Sequence, residues 1–480
     1  MAKVLISPIG TGRLKDAQKK ENDQTDRANT KEFSSARKYE NVSYKFSEDG
    51  VIIETPFLVA ALAKYLKVDK VIFIGTAKSM WEEIYSYFTE NSGREVDYEY
   101  WINLENLAKS SRYDNELIEE ETLAAAMVSV DEYLKTINPN ATGGSTSLII
   151  KYGLNEEELW QNFSKIMRLI EILKDGDEVY LDITHSFRSI PLFLYLMMDF
   201  LQNLNQKHIT LNGLYYGMLE VIGEMGYAPV VDLKPLFLVS QWIRGTYDFV
   251  NFGNGYLISK LIDDDSLREK NTKEISNRIE NITELVNINY LTDMQNQIEK
   301  LNDILNKEPN LNRAAMYVIP LIKDFTTRFS GIKSASEFQL ELSKWYFDNK
   351  RYGHGYICLV ESVLTKLCEV YNLDIKDFNN REDIKNIFCL TNKSKELAKL
   401  KHKYKSINKI RRRIAHASFY QNEKFSFNAD IKQANKNYED VKRLLESKEI
   451  NELKTIITYE EILKFKDMKK YEYKIESKMV

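Results

Sequence analysis

At 480 residues the chain is longer than a single ordinary domain, so its length predicts two or three domains. Hydrophobic residues make up 43% and charged residues 29%, the balance of a soluble globular protein, and low counts of glycine (19) and proline (8) argue against long disordered arms. The formal net charge of −4 excludes a chain that is basic overall and binds nucleic acid through its whole surface.

Strands and helices alternate through the first half of the chain. Short runs of β-branched residues without polar alternation are typical of strands buried on both faces of a parallel sheet. Residues 13–40 are strongly polar and are predicted to form a long loop. The alternation predicts an α/β fold with an open, mostly parallel sheet. Strands are predicted at 3–7, 70–74, 147–151, 178–183, 209–218 and 229–233, and helices at 55–66, 81–88, 121–137, 156–173 and near Pro191.

From Phe237 to the end the periodicity is helical almost throughout, with no convincing β alternation. The second half is therefore predicted to be all-α, and the whole chain α/β plus all-α. We place an α/β domain at residues 1–233, a helical connecting region at 234–335 and a C-terminal helical domain at 336–480.

The cysteines and apolar runs predict the cellular location. Cys358, Cys368 and Cys389 lie far apart and match no metal-binding spacing, so we interpret them as reduced thiols of a cytosolic protein. Residues 1–6 are too short and too strand-like to form a signal peptide. The longest apolar run, residues 190–198, cannot span a bilayer, which requires roughly 20 residues. The sequence predicts a cytoplasmic protein with no membrane segment.

Three loops, at residues 7–12, 75–79 and 182–189, follow predicted buried strands. In an open α/β sheet ligands bind at the carboxyl ends of the strands, where backbone amides and helix N-termini face a crevice. Taken alone, each loop is explained equally well by a tight strand-to-helix turn, because Gly-Thr-Gly matches neither the dinucleotide fingerprint nor the P-loop. The candidate ligand contacts are Gly10, Thr11, Gly12, Thr76, Ser79, Thr184, His185, Ser186 and Arg188.

These loops resemble those of CARF domains, the Rossmann-like sensors of CRISPR-associated proteins. The resemblance rests on residues 7–12, on residues 73–81 and above all on residues 182–188, which fit D-x-[ST]-H-[GS]-x-R at the exit of a buried strand. It implies a CARF-like sensor in residues 1–233 that binds a cyclic oligoadenylate across a two-fold axis between two such domains. Cyclic tetra-adenylate is the commoner choice of the family. By the same resemblance, the nine candidate residues contact the phosphates, riboses and adenines.

The second half contains a strongly basic segment. Between Lys393 and Arg413 there are ten Lys or Arg residues and one acid, Glu396. Such a run is usually a solvated face, but a local positive patch also attracts the backbone of RNA. The segment leads into Arg411 and His416, so a guanidinium that binds phosphate precedes an imidazole that titrates near neutrality. This pair suits cleavage of a phosphodiester.

The stretch from Arg411 to His416 fits R-x4-H and, with Asn408 before it, resembles the motif of HEPN ribonucleases. With the CARF-like half, the chain resembles the CARF–HEPN ribonucleases of type III CRISPR systems over nearly its full length. The resemblance implies a HEPN-like ribonuclease domain in residues 336–480 and an RNA substrate. It also implies an obligate homodimer, alone or within a higher oligomer of dimers, because one Arg/His set per chain makes a poor active site.

The chemistry needs no metal and no other catalytic cofactor, because RNA supplies its own nucleophile, the 2′-hydroxyl. His416 can act as general base or acid, Arg411 can stabilise charge on the non-bridging oxygens, and Asn408 can orient the phosphate or the imidazole. On a regular helix Arg412 lies on the same face as His416, whereas Arg411 is about 140° away. The family spacing favours Arg411, and Arg412 remains the second candidate.

We therefore predict a metal-independent, single-stranded RNA endonuclease that a cyclic oligoadenylate activates in type III CRISPR antiviral defence. One alternative is a non-catalytic nucleotide sensor whose helical half binds RNA or a partner protein. Another alternative is a Rossmann-type enzyme that acts on a small nucleotide.

Overall fold

The chain forms two compact units, Met1–Leu238 and Val239–Val480, in a computed structural model. The structure describes residues 1–10, 41–185, 187–204, 207–264, 270–309, 311, 313–415 and 427–464. The predicted loop at residues 13–40 lies outside this part of the chain.

Eight strands form one sheet in the first unit: β1 Lys3–Pro8, β2 Val42–Phe46, β3 Ile52–Thr55, β4 Lys70–Gly75, β5 Thr146–Ile149, β6 Glu178–Asp182, β7 Thr210–Gly217 and β8 Ala228–Asp232. Their order across the sheet is β3-β2-β8-β7-β6-β1-β4-β5. The five strands from β7 to β5 run parallel to one another. β8 is antiparallel to β7, and an antiparallel β2–β3 hairpin extends that edge through a parallel pairing of β2 with β8.

Helices cover both faces of this sheet. In β1, Leu5 belongs to the core on one face and Val4 and Ile6 to the core on the other, and all three side chains are fully buried. This burial explains the uninterrupted apolar runs of the strands. The helices are α1 Leu58–Leu66, α2 Trp81–Asn91, α3 Tyr98–Ser110, α4 Ala124–Ile137, α5 Glu156–Met167, α6 Leu169–Ile172, α7 Ser189–Leu204, α8 Ile222–Met225 and α9 Lys234–Phe252, which leads into the second unit.

The second unit contains only helices in its described residues, packed around two apolar cores. Cys358 belongs to one core, and Tyr356 and Leu359, on the same helix, belong to the other. None of the described helices has the length and apolar character needed to cross a bilayer. The helices are α10 Tyr256–Asp263, α11 Lys270–Ile288, α12 Leu291–Leu305, α13 Arg313–Phe329, α14 Ala335–Asp348, α15 Tyr352–Val370, α16 Phe378–Asp383, α17 Lys395–Ala415, α18 Phe427–Lys432, α19 Ala434–Glu446, α20 Lys448–Asn451 and α21 Leu453–Ile456.

The predicted fold class, an open and mostly parallel α/β sheet followed by an all-α half, is confirmed. The β2–β3 hairpin and α3 were not predicted. The predicted helix at 55–66 was wrong at its start, because Thr55 pairs as the last residue of β3 and α1 begins at Leu58. The hairpin turn has a recognisable sequence, Asp49-Gly50, in which Gly50 takes a φ of +74°.

Candidate functional site

A cavity of about 900 Å³ opens at the carboxyl edge of the sheet in the first unit. The loops after β1, β4 and β6 meet there because the three strands are parallel neighbours. Five of the predicted contacts line this cavity, from all three loops: Gly10, Thr76, Ser79, Thr184 and His185.

The other predicted residues divide into two groups. Arg188 is exposed and is not among the described residues that line the cavity. Thr11, Gly12, Ser186 and His416 lie outside the described residues, so their roles remain predictions from sequence.

Hydrogen bonds join the loops after β1 and β4. The Ile9 amide donates to the Ile74 carbonyl oxygen at 2.7 Å, and the Ser79 hydroxyl donates to the Ile9 carbonyl oxygen at 3.2 Å. The same hydroxyl oxygen accepts from the Thr76 amide at 3.0 Å. Ser79 is buried, and its hydroxyl proton is already donated to Ile9. This side chain therefore lines the cavity and also joins two of the loops that form its wall.

Gly75, the last residue of β4, is required by the turn that follows it. A Cβ at this position would lie 2.6 Å from Cζ2 of Trp81 and 2.9 Å from Oγ of Ser79, closer than side chains approach one another. The Trp81 indole N–H donates to the Thr76 carbonyl oxygen at 2.9 Å, so the ring cannot retreat without losing that bond. Because Gly75 has no side chain, Trp81 and Ser79 can pack closely against the end of β4.

A buried carboxylate supports the third loop. Asp182, at the end of β6, accepts hydrogen bonds from the Ser7 hydroxyl and from the Thr184 amide, both at 2.8 Å. The Thr184 hydroxyl oxygen accepts in turn from the Gly217 amide at 2.8 Å. Asp182 is 0% exposed, so water does not compete for these bonds and they hold the segment that leads to His185.

The cavity wall is aromatic and carries no acidic side chain among its described residues. The rings of Tyr152 and Phe187 meet edge to face with their centroids 5.5 Å apart, and Tyr44 and Phe57 line another part. Lys78 brings a basic side chain to the lining. Aromatic faces and a cation suit an anionic ligand with planar bases.

Neither Tyr152 nor Phe187 was among the predicted contacts. Phe187 lies inside the third predicted loop, at residues 182–189. Tyr152 follows β5, whose carboxyl end reaches the same edge as that of β4. The strand-end rule that selected the other loops would have found both residues if it had been extended to β5 and to aromatic side chains.

The predicted catalytic residues of the second unit lie on α17. Asn408 Oδ1 and Arg411 Nε are buried and have no hydrogen-bond partner among the described residues. The two residues are three apart and therefore share one face of the helix. Arg412 is exposed, whereas Arg413 pairs with Asp430.

Buried polar atoms without partners are uncommon, since each costs about 1–3 kcal/mol of desolvation. On α17 they are a donor and an acceptor on the same face, Arg411 Nε and Asn408 Oδ1. A guanidinium binds phosphate oxygens, and a carboxamide oxygen accepts from a hydroxyl or an imidazole N–H. This face can therefore bind and orient a phosphodiester.

Tyr404 extends that face by one turn toward the N-terminus of α17. It stacks on Phe388, with ring centroids 5.0 Å apart and ring planes inclined by 25°. Burial, together with the charge of Glu361, raises the pKa of Tyr404 to about 12, so its phenol is protonated at neutral pH. The positive charges of Arg411 and Arg412 act in the opposite direction on this pKa.

His354, near the start of α15, predicts a pH dependence of stability. Burial, and then the charge of Arg351, lower the pKa of His354 below its ordinary value of 6.5. Stability is therefore fully present above the unfolded pKa and is lost as the pH falls through the folded pKa, because the unfolded state takes up the proton first. We expect the Tm of the wild type to fall more steeply between about pH 7.5 and 5 than that of His354→Gln, in differential scanning calorimetry. Parallel curves would contradict this prediction.

The described residues contain no group of three or more His, Cys, Asp or Glu side chains placed to hold a metal ion. Cys358 and Cys368 are buried free thiols, and Cys389 is an exposed one.

Comparison with known proteins gives two family matches. Residues 4–220 match the CARF domain of the CRISPR system endoribonuclease Csx1. Residues 238–334 match the second domain of the CRISPR-associated protein MJ1674.

Two individual proteins are also similar. The CRISPR-associated protein MJ1674 of Methanocaldococcus jannaschii is 45% identical over 421 residues, which cover 87% of this chain and 62% of that protein. The chain thus spans less than two thirds of the length of this curated relative. A structure of Enterococcus italicus Csm6 bound to cyclic hexa-2′-fluoro-hexa-dAMP is similar with a TM-score of 0.38 and 10% identity, over 97% of this chain and 99% of that one.

Proposed function

Since this chain belongs to the CARF-containing family of CRISPR-associated proteins, we propose that it is a metal-independent, single-stranded RNA endonuclease activated by a cyclic oligoadenylate. Its role would be type III CRISPR antiviral defence. The observation that carries the proposal is a pair of buried polar atoms near the end of a cation-rich helix, Asn408 Oδ1 and Arg411 Nε, for which the described part of the chain supplies no hydrogen-bond partner. In this proposal residues 1–233 are the CARF-like sensor, 234–335 the helical connection and 336–480 the HEPN-like ribonuclease domain.

The cavity at the sheet edge supports a cyclic oligoadenylate as the activator. Its volume of about 900 Å³ is at the upper end for a ligand site, and its aromatic lining suits adenine rings. Lys78 and the threonine hydroxyls of the lining suit the phosphates and riboses. We propose cyclic tetra-adenylate as the ring. Its contacts would be Gly10, Thr76, Ser79, Thr184 and His185 and, on sequence grounds alone, Thr11, Gly12, Ser186 and Arg188.

A homodimer is part of the proposal, because a cyclic ligand with repeated units suits two equivalent cavities related by a two-fold axis. An exposed apolar row on α7 supports such an interface. Leu192, Leu196 and Phe200 are 57%, 42% and 40% exposed and lie four residues apart, hence on one face of the helix. This helix begins directly after the loop that carries Thr184 and His185.

The proposed reaction needs two proton transfers and one charged intermediate. The 2′-oxygen attacks phosphorus as its proton passes to a base, and the bond from phosphorus to the 5′-oxygen breaks as that oxygen receives a proton. The products are a 2′,3′-cyclic phosphate and a 5′-hydroxyl. His416 would transfer protons, Arg411 would stabilise the non-bridging oxygens, and Asn408 would orient the phosphate or the imidazole. Two chains would bring two such sets into one cleft.

Activation is proposed to work through differential affinity. A cyclic oligoadenylate that binds one state of the dimer more tightly than another shifts the population toward it, and only that state would have a competent nuclease cleft. A ligand that binds the native protein also stabilises it by mass action, so activator candidates can be ranked by their thermal shift.

The test is cleavage of an unstructured RNA by the full chain in EDTA, with cyclic tri-, tetra- and hexa-adenylate and without activator. We expect cleavage only with the ring that gives the largest thermal shift, and products that end in a 2′,3′-cyclic phosphate. A chain that binds a ring but never cleaves RNA would be the non-catalytic regulator instead. Cleavage that EDTA abolishes would contradict metal independence.

A further inference from the structure

The outer face of α17 carries a row of basic side chains that the proposed reaction does not use. Four cations of this row, Lys395, Lys405, Lys409 and Arg412, are exposed, and so is His402 between them. Their spacings of seven, three, four and three residues keep all five on one side of the helix. From Lys395 to Arg412 the row measures about 25 Å at 1.5 Å per residue. We call these five residues the basic row.

Three neighbouring cations of α17 are paired within the protein: Lys399 with Glu396 at 2.6 Å, Lys403 with Asp440 at 2.8 Å, and Arg413 with Asp430. In the described part of the chain, no carboxylate forms an ion pair with Lys395, Lys405 or Arg412. These pairs neutralise part of the positive charge of the helix, whereas Lys395, Lys405 and Arg412 lie exposed on its outer face.

Helix stability does not explain this arrangement. Lys395 stands at the first position of α17, where the helix dipole disfavours a cation. Lys405 and Lys409 are four residues apart, and like charges at this spacing destabilise a helix. A merely solvated helix usually alternates charge sign, but α17 has no acid after Glu396. The row is therefore suited to a polyanion from outside the protein.

We infer that single-stranded RNA lies along the basic row, which leads its backbone to Arg411 and Asn408. This inference rests on the proposed function and names the substrate surface. A straight row of cations matches the regularly spaced phosphates of one strand, and an exposed imidazole among the cations can stack on a base. The row ends at Arg412, which follows Arg411 in sequence and lies about 100° around the helix from it, so the RNA backbone would turn around α17 at this point.

The test is RNA binding as a function of salt, measured by fluorescence anisotropy with an unstructured RNA of about 16 nucleotides. The protein is the full chain with His416→Ala, to prevent cleavage, with and without cyclic oligoadenylates. Adding Lys395→Gln and Lys405→Gln should reduce the slope of log affinity against log salt by about 1.4, because each lost phosphate contact of a single strand contributes about 0.7. Lys405→Gln alone should reduce it by about 0.7.

The matched control is Lys376→Gln with Lys454→Gln, which removes the same charge from exposed positions elsewhere in the second unit and should leave the slope unchanged. If the row variants and the control bind RNA alike, the inference is overturned. If poly-glutamate displaces the labelled RNA as strongly as unlabelled RNA does, the row binds an acidic protein instead. This result would also overturn the inference. Because binding is measured without catalysis, a wild type that never cleaves RNA would refute the proposed function and leave this result intact.

Discussion

Arg411→Ala is expected to lower the single-turnover rate of RNA cleavage by about 10²–10³, the loss that follows removal of one donor to a developing oxyanion. Arg411 Nε is buried and no described residue accepts its hydrogen bond, and we expect it to donate to a phosphate oxygen instead. Asn408 lies on the same face, and its buried Oδ1 likewise has no partner in the described part of the chain. The rate is measured with saturating activator, so that a change in ligand affinity does not enter.

Arg412→Ala separates the two arginine candidates. Its side chain is exposed, so we expect a loss below tenfold, expressed mainly as a higher KM for RNA. Arg443→Ala, at a position 79% exposed on α19, controls for the loss of one positive charge from the unit. If Arg412→Ala abolishes cleavage while Arg411→Ala does not, the spacing argument from a regular helix is right and the family spacing does not apply here.

Thermal unfolding distinguishes a catalytic role of Arg411 from a structural one. Removing a buried donor for which the described residues supply no partner should leave stability unchanged or raise it, because the desolvation cost of about 1–3 kcal/mol disappears. Ile407, on the same helix and 0% exposed, should behave in the opposite way. Ile407→Ala should lower stability by about 2–5 kcal/mol. A fall in stability for Arg411→Ala as large as that for Ile407→Ala would indicate that the arginine supports the fold.

The strands were predictable from sequence where both faces of the sheet are buried. β1 and β4 are uninterrupted apolar runs because helices cover them on both sides. The β2–β3 hairpin was missed because it lies at the sheet edge, where Ile52 is 55% exposed and the apolar pattern is weak. The Asp49-Gly50 turn was the stronger signal there.

The candidate site was predictable to the same limited extent. Parallel strands align their carboxyl ends, so the loop residues could be selected without knowing the structure. The difference in exposure between Arg411 and Arg412 could not be predicted, because sequence spacing does not show which side chain the rest of the unit covers. Likewise, the hydroxyl of Ser79 looks available in sequence, whereas the fold uses its proton to bind Ile9.

The second large effect is expected from filling the cavity at Gly10. A Cβ at this position would lie 3.4 Å from Cβ of His185, an ordinary contact, so Gly10→Ala should fold normally and bind the activator with little change. Leucine extends further into a space lined by His185 and Thr184. Gly10→Leu should weaken activator binding by at least about 100-fold, which removes about 2.7 kcal/mol of ligand-induced stabilisation at a concentration that saturates the wild type. The measurements are isothermal titration calorimetry and the thermal shift.

Gly223→Leu is the matched control, because a Cβ there meets no atom within 4 Å and the residue does not line the cavity. It should keep both the thermal shift and activated cleavage. Gly10→Leu should lose both, yet bind RNA with the wild-type dependence on salt, because the basic row of α17 lies in the other unit. If Gly10→Leu still responds to the activator, the ligand does not bind where the parallel strands end. A surface that includes the exposed Arg188 would then be the place to seek it.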